Sequence, residues 1–414
     1  MRRDGLQGVG TLSFGVLLVS QLAATTGFMF VIPFLPLYVQ RLGVEDAGHA
    51  AAWAGLLNTA TAVTMALAAP LWGKLGDRYG QKKMLLRATL AGSLMLGLMG
   101  LVTSPWQLLL LRLLQGSLTG TVAAATVLVS ATAPPEKASS RLGALQTFIF
   151  CASAAGPFAG GVFADLVGIR ASFGVTAALL AASGLMVLFG VRGDEPFGSD
   201  AGEDGVSGDG TLPGWRLFPG VLALFVVHLS ITAVHPVLPG FLETIMEEPV
   251  RVASLAGQIL GAGALAAALG SLVGGHVAVR AGVWATVVGA LSVAGLASLP
   301  QAAVSSVAEL FVLRLVADFA LGMVIPVANL AVRSAVPPER QGAAFGVAAS
   351  ATSAAFGLGP LGGGLLAASF GFGVPFLVPG VLLLAASAAL LVFSAVDLPR
   401  YLRLLRLVLA NLIS

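Results

Sequence analysis

Twelve apolar runs, each about twenty residues or longer, decide what this chain can fold into. Split at charged and Pro/Gly-rich breaks, they fall at about 11–38, 51–74, 84–103, 105–132, 141–165, 170–191, 216–240, 253–276, 284–303, 306–333, 343–368 and 374–396. About 20 apolar residues in a helix cross a ~30 Å hydrocarbon core. Lipid offers the backbone no hydrogen-bond partner, so a spanning segment is a helix or part of a closed barrel. Barrel strands alternate with period 2; these runs do not. Composition agrees: 57% of the 414 residues are hydrophobic and 10% charged, against about 25% charged in a soluble domain. Mean hydropathy is +0.94. The expectation is an all-α membrane protein of twelve transmembrane helices.

Several function classes fall away. One cysteine, Cys151, allows no intrachain disulfide, and its apolar helix suggests a buried small hydrophobe. Four histidines and one cysteine show no metal-ligand spacing. No Walker-type phosphate loop is present, and no nucleophile–base–orienter set marks an enzyme. No cofactor is expected. The run after Arg2 and Arg3 reaches Tyr38, too long for a signal-peptide core.

Residues 192–215 are rich in Gly and Asp and read as a flexible linker. Its acids, Asp194 to Asp209, are a soluble tether or a cation site. The linker divides a repeat. Pro33 and Pro36 in VIPFLPLY recur as Pro236 and Pro239 in VHPVLPGF, 203 residues on. Arg112 and Gly120 recur as Arg314 and Gly322, 202 on. Gly156–Pro157 recurs as Gly359–Pro360, and Gly73, Arg78 and Gly80 as Gly275, Arg280 and Gly282. The reading is two pseudo-symmetric six-helix bundles, 1–191 and 216–396, with an amphipathic tail at 397–414. Parallel repeats of this kind are a common transporter architecture.

Of the 22 Lys and Arg, Arg41, Arg170 and Arg251 fall on one side and Arg112 and Arg314 inside helices; the other seventeen share the side of both termini. The positive-inside rule makes that side cytoplasmic. The basic pI near 9.3 then reflects topology, not nucleic-acid binding. Arg400, Arg403 and Arg406 lie three apart on one face of the tail, suiting the inner interface.

The densest charge is GKLGDRYGQKK, Gly73 to Lys83. Its Gly73, Leu75, Asp77, Arg78, Gly80 and Lys82 resemble the signature loop of the major facilitator superfamily. The resemblance implies a cytoplasmic latch in which Asp77 pairs with basic residues and the start of helix eleven in the outward-facing state. A carboxylate beside a helix N-terminus gains about 0.3–2 kcal/mol, suitable for a latch that opens. The second copy has Val279 where Asp77 would be. Gly156-Pro157-x-x-Gly160-Gly161 resembles the superfamily's antiporter motif. Its proline kinks helix five, and its glycines admit a close neighbour. The expected neighbour is helix eight, through Gly257, Gly261, Gly263 and Gly270, in a seam closing the cytoplasmic side.

Charges within the membrane cost at least ~2.5 kcal/mol each, so Arg112, Arg314 and Asp318 stand out. Arg112 with Gln115 and Gly116 resembles the helix-four motif, whose arginine is linked to proton coupling; a structural role is the alternative. Asp318 lies four residues after Arg314 on one helical face. It is a candidate proton carrier, or half of a static ion pair. Helix one, 11–38, holds no acid, unlike many drug:proton antiporters that resemble this chain. Its polar groups are Gln21, Thr25 and Thr26; helix two offers Asn58. A greasy substrate cavity is expected around Gln21, Thr25, Phe28, Phe30, Asn58, Gln115, Phe148, Phe150, Phe225, His228 and His235. Glu243, Glu247 and Glu248 read as an extracellular loop face.

The resemblance covers the whole chain and points to bacterial multidrug efflux members. The expected function is proton-coupled export of small lipophilic compounds by a monomer in the inner membrane, with protons, substrate and lipid as partners and alternating access as mechanism. An importer or facilitator of a specific metabolite, such as a sugar or amino-acid derivative, stays open because helix one lacks an acid. A non-transporting receptor on the same fold is a third reading.

Overall fold

The computed structural model describes residues 11–191, 214–248, 250–337 and 340–413. The first ten residues and positions 192–213 of the expected linker lie outside them; the linker's last two residues, Gly214 and Trp215, already belong to the first helix of the C-half. Fifteen α-helices are found among the described residues. In the N-half these are α1 (Thr11–Phe30), α2 (Leu35–Arg41), α3 (Ala47–Tyr79), α4 (Gln81–Met99), α5 (Pro105–Leu118), α6 (Thr121–Thr132), α7 (Pro135–Val167) and α8 (Ile169–Gly190). In the C-half they are α9 (Gly214–Ala233), α10 (Leu238–Ile245), α11 (Val252–Ala281), α12 (Val283–Ser298), α13 (Val307–Ser334), α14 (Gln341–Phe370) and α15 (Val374–Ile413).

Eleven segments of the described residues are long and apolar enough to cross a membrane. The twelfth expected span corresponds to α4, whose first seven residues carry Lys82, Lys83 and Arg87. At the basic end of the bundle Gly80 and Gly282 turn the chain. The far end carries the turns at Gly168 and Gly371.

Three expected helices are broken, each for a local reason. Helix one stops at Phe30, passes through a 3-10 turn at Ile32–Phe34 and resumes as α2. Pro33 and Pro36 each lack a backbone donor. Helix seven breaks likewise before α10, at Pro236. Helix four breaks between α5 and α6, where Thr119 is extended and Gly120 takes φ +123°. Its repeat does not break. Gly322 lies within α13, and a β-carbon there would strike the backbone of Ala267. The expected end of helix twelve at 396 is also passed, because α15 runs on to Ile413.

The duplication reappears in the turns. Gly80 and Gly282 have φ of +95° and +92°, and Gly168 and Gly371 +90° and +89°. This region favours glycine because it has no β-carbon. The first turns of α5 and α13 are capped alike, Ser104 accepting from the Gln107 amide and Ser306 from that of Glu309.

Each half has its own core. Phe34, Tyr38, Leu96, Met99, Leu108 and Phe173 fill the far part of the N-half. There the Tyr38 hydroxyl donates to the Met99 carbonyl at 2.7 Å. Val227, Leu291, Leu321, Val324 and Leu383 are among the C-half core. Lipid is as apolar as these side chains, so packing rather than water exclusion holds helices together, and small residues set the closest approaches.

Among the described residues, contacts between the halves run from the far end to about mid-helix. On one seam a β-carbon at Gly55 of α3 would strike the Pro360 carbonyl of α14, and one at Gly364 the carbonyl of Ala51. The Thr59 hydroxyl donates to the Gly357 carbonyl across it. On the other, Gly161 of α7 abuts Ala253 of α11, and Gly257 abuts the Pro157 carbonyl. Toward the basic end the same helices are bare. Over 63–72 of α3, Thr64, Ala68 and Trp72 are partly covered and the rest exposed. Over 342–350 of α14, Ala344 and Ala348 alone are buried. The halves are therefore joined at the far end and splayed at the basic end. Cys151, expected to be buried, is exposed. It is one turn from Ala154, which meets Gly261 of α11, and so shares the α7 face that looks into the splay.

Candidate functional site

The C-half site is built on α13. The Arg314 Nε donates to Asp318 Oδ2 at 2.9 Å, and both side chains are buried. The i, i+4 spacing sets them on one face. Asp318 is 11 residues past Val307, about 17 Å along the helix at 1.5 Å per residue, which is near mid-membrane. Its Oδ1 is buried without a hydrogen-bond partner, and an unmade bond on a buried carboxylate is costly. The carboxylate thus has one oxygen held by a cation and one free to accept a proton. His235, half-buried in the turn between α9 and α10, lies within electrostatic reach of Arg314. His228 lies two turns earlier. Its Nδ1 donates to the Leu224 carbonyl at 2.8 Å, since a carbonyl can only accept. Its ring sits 5.3 Å from that of Phe356 on α14.

The N-half counterpart, Arg112, has no acid. Its Nη1 donates to Gln115 Oε1 at 3.3 Å, its carbonyl accepts from the Thr61 hydroxyl at 3.3 Å, and its Nε has no partner. It is 6% exposed, a buried cation without a counter-charge among the ion pairs of the described residues. Gln21 is fully enclosed with both amide atoms unpartnered, and the Thr25 hydroxyl is unpartnered too. Gln21, Thr25 and Gln115 therefore sit inside the N-half in this conformation, not on an open wall. Phe30 is likewise buried, against Phe34 and Phe163. Phe28 packs beside Gly92 of α4. Asn58, Phe148 and Phe225 are half-buried, and Phe150 is exposed.

The helix-five motif divides its glycines between two neighbours. Gly156 and Gly160 face α1 at Met29 and Phe30, whereas Gly161 faces α11. Of the four α11 glycines expected to meet helix five, Gly257 and Gly261 do. Gly263 and Gly270 face α13 instead, at Asp318 and Phe319. The seam lies toward the far end of the bundle.

At the basic end, Gly73 sees nothing within 4 Å, and Gly80 supplies the turn into α4. Lys82 Nζ donates to the Leu188 carbonyl at 3.1 Å, and the Arg78 guanidinium lies 5.3 Å from the Tyr79 ring. The Asp77 side chain lies outside the described residues, so its expected pairing does too. The basic end holds a feature that sequence reasoning missed. Arg87 stacks 3.3 Å over the Trp72 ring, whose Nε1 donates to the Ser117 carbonyl at 2.6 Å. A second missed residue is Asp165, whose Oδ2 accepts from the Ser254 amide of α11 at 2.7 Å. An acid at the end of a glycine-rich helix was the available signal. On the expected extracellular face, Glu243 is half-buried; Glu247 and Glu248 are exposed.

The profile of the Major Facilitator Superfamily matches residues 17–303 and 220–404. The chain is 31% identical over 354 residues to "Multidrug resistance protein MdtG" of Proteus mirabilis, covering 84% of this chain and 88% of the relative. It is 34% identical over 366 residues to the protein of that name from Klebsiella pneumoniae, covering 87% and 88%. A crystal structure of a bacterial homolog of the human lysosomal transporter Spinster, inward-facing and occupied, superposes with a TM-score of 0.74 at 18% identity, covering 92% of this chain and 96% of that one.

Proposed function

This chain belongs to the Major Facilitator Superfamily and is a multi-pass membrane transporter, not an enzyme; from that premise, we propose that it exports small lipophilic compounds in exchange for protons. Relatives named for multidrug resistance, at 31% and 34% identity over most of the chain, support efflux. The basic end is assigned to the cytoplasm by its excess of Lys and Arg, so the described conformation is open inward. Substrate enters from the cytoplasm or the inner leaflet between the splayed halves. The halves then rock about the site until the far end opens.

The observation that carries proton coupling is Asp318. It is buried near mid-membrane with Oδ2 on Arg314 and Oδ1 unpartnered. A proton arriving from outside neutralises the carboxylate and loosens the Arg314 bond. Its release inward restores the pair. Asp77, on the cytoplasmic loop, holds the inner gate shut in the outward state. The protein works as a monomer in the cytoplasmic membrane with both termini inside.

In proteoliposomes, Asp318→Asn is expected to abolish efflux driven by a pH gradient while sparing passive exchange. Undiminished uphill efflux would remove Asp318 from the mechanism. The second reading, a facilitator in which Arg314–Asp318 is a static brace, is favoured by the lack of an acid in helix one. It predicts saturable flux of one metabolite that ignores collapse of the gradient.

A further inference from the structure

The N-terminus of α11 is not capped by its own chain segment. Its N-cap, Arg251, sits in the left-handed region at φ +59° and its side chain makes no capping bond. The first amides of a helix need partners from outside the helix. One is supplied from the other half, where Asp165 Oδ2 near the end of α7 accepts from the Ser254 amide at 2.7 Å. The Ser254 hydroxyl adds a longer bond to the Gly161 carbonyl, 3.4 Å. Asp165 is in neither ion pair of the described residues, so its charge faces the positive end of the α11 dipole.

The repeat makes the arrangement informative. The symmetry-related helix start, that of α3, is capped in cis by Asp46, which accepts from the His49 amide at 2.7 Å. The residue 203 positions after Asp165 is Ala368, and it touches Gly48 at that α3 start. The two far-end seams thus share the same pairing, but among the described residues only the α7–α11 seam carries a charged cap across the halves. Separating the halves breaks this bond and strands the α11 amide, whereas separating α14 from α3 leaves the Asp46 cap intact.

We propose that Asp165 is a far-end latch. Its carboxylate caps α11 from the opposite half, stabilises the state closed at that end, and lets go each time the end opens. This goes beyond the proposed efflux cycle and rests on its alternating access. The latch is the counterpart, at the opposite end and in the opposite state, of the role expected of Asp77.

The test uses the full-length protein in lipid nanodiscs, Cys151→Ser, with spin labels at Glu45→Cys and Glu248→Cys on far-end loops of the two halves. Electron–electron distance measurements read the far-closed and far-open populations. Asp165→Ala is expected to raise the open-to-closed ratio by roughly fivefold, the scale of a lost N-cap. Asp165→Asn, which keeps a capping oxygen, is expected to stay near wild type. Ser254→Pro removes the donor in a first turn that tolerates proline. It is expected to match Asp165→Ala, with the double variant adding nothing. An unchanged ratio in a folded Asp165→Ala protein overturns the latch alone. A wild type with one distance under every substrate and pH condition overturns alternating access, and the latch with it.

Discussion

Gly263 of α11 and Asp318 of α13 touch so closely that a β-carbon on the glycine would collide with the carboxylate Oδ2. That same oxygen holds Arg314 at 2.9 Å. The absence of a side chain at 263 is thus part of how the ion pair is seated. Gly263→Ala must push the carboxylate off the guanidinium or part the two helices. Overpacking of this kind costs about 1–3 kcal/mol. We expect gradient-driven efflux to fall at least about tenfold, the rate equivalent of 1.4 kcal/mol, with expression retained. Unchanged coupled flux in proteoliposomes would show that the pair tolerates displacement.

Breaking one partner of a buried pair leaves the other charge uncompensated. Arg314→Gln should therefore destabilise the folded protein by about 3–5 kcal/mol. Arg314→Gln with Asp318→Asn should recover most of that loss, because no buried charge remains. Thermal unfolding in detergent measures both. Recovery of stability without recovery of coupled efflux separates the brace from the proton carrier.

Arg112 presents the opposite case, a buried cation with an unpartnered Nε and a neutral Gln115 beside it. Arg112→Met keeps the bulk and removes the charge. Stability is expected to hold or to rise by about 1–3 kcal/mol, while gradient-driven efflux drops. Wild-type efflux in this variant would make Arg112 a packing residue.

Gly55→Val should keep the far end from closing, since even a β-carbon there meets the Pro360 backbone. Cys151 then reports the consequence at the basic end. It is exposed on the α7 face that looks into the splay, so a maleimide applied from the basic side should label it several-fold more slowly in Gly55→Val. An unchanged labelling rate would mean that the two ends do not open reciprocally.

Asp46 caps α3 through the His49 amide, which holds its carboxyl below the ordinary carboxylate range. A depressed folded-state value stabilises the helix start above the unfolded value and loses that contribution as pH falls through the folded one. The first turn of α3 should therefore keep its slow hydrogen exchange at pH 5, and lose it in Asp46→Ala at any pH.

Much of the architecture was legible because lipid leaves the backbone few choices. Apolar runs gave the spans, and the offset of 202 to 203 residues linking Arg112 to Arg314 and Gly156 to Gly359 gave the two halves. The Arg314–Asp318 pair followed from spacing alone. What could not be read was direction within all-apolar helices. Nothing in the pattern around Gly263 says that it faces α13 and not α7, because every face of α11 is small and greasy. Glycine motifs likewise announced a close approach without saying at which end it would fall. The contacts between halves belong to the described conformation, which residue type alone does not specify. Gln21 and Thr25 were polar enough to suggest a cavity wall, yet they turn inward within their own half.

The break at Gly120, absent at Gly322, makes the two halves mechanically unequal. At φ +123° the N-half copy interrupts its helix at a glycine with open space where a β-carbon would lie, whereas α13 runs unbroken past Gly322, wedged against Ala267. In the rocking cycle proposed above, bending is expected at the Gly120 break of one copy, while the unbroken α13 of the other moves as a strut. The charge pair rides on the strut.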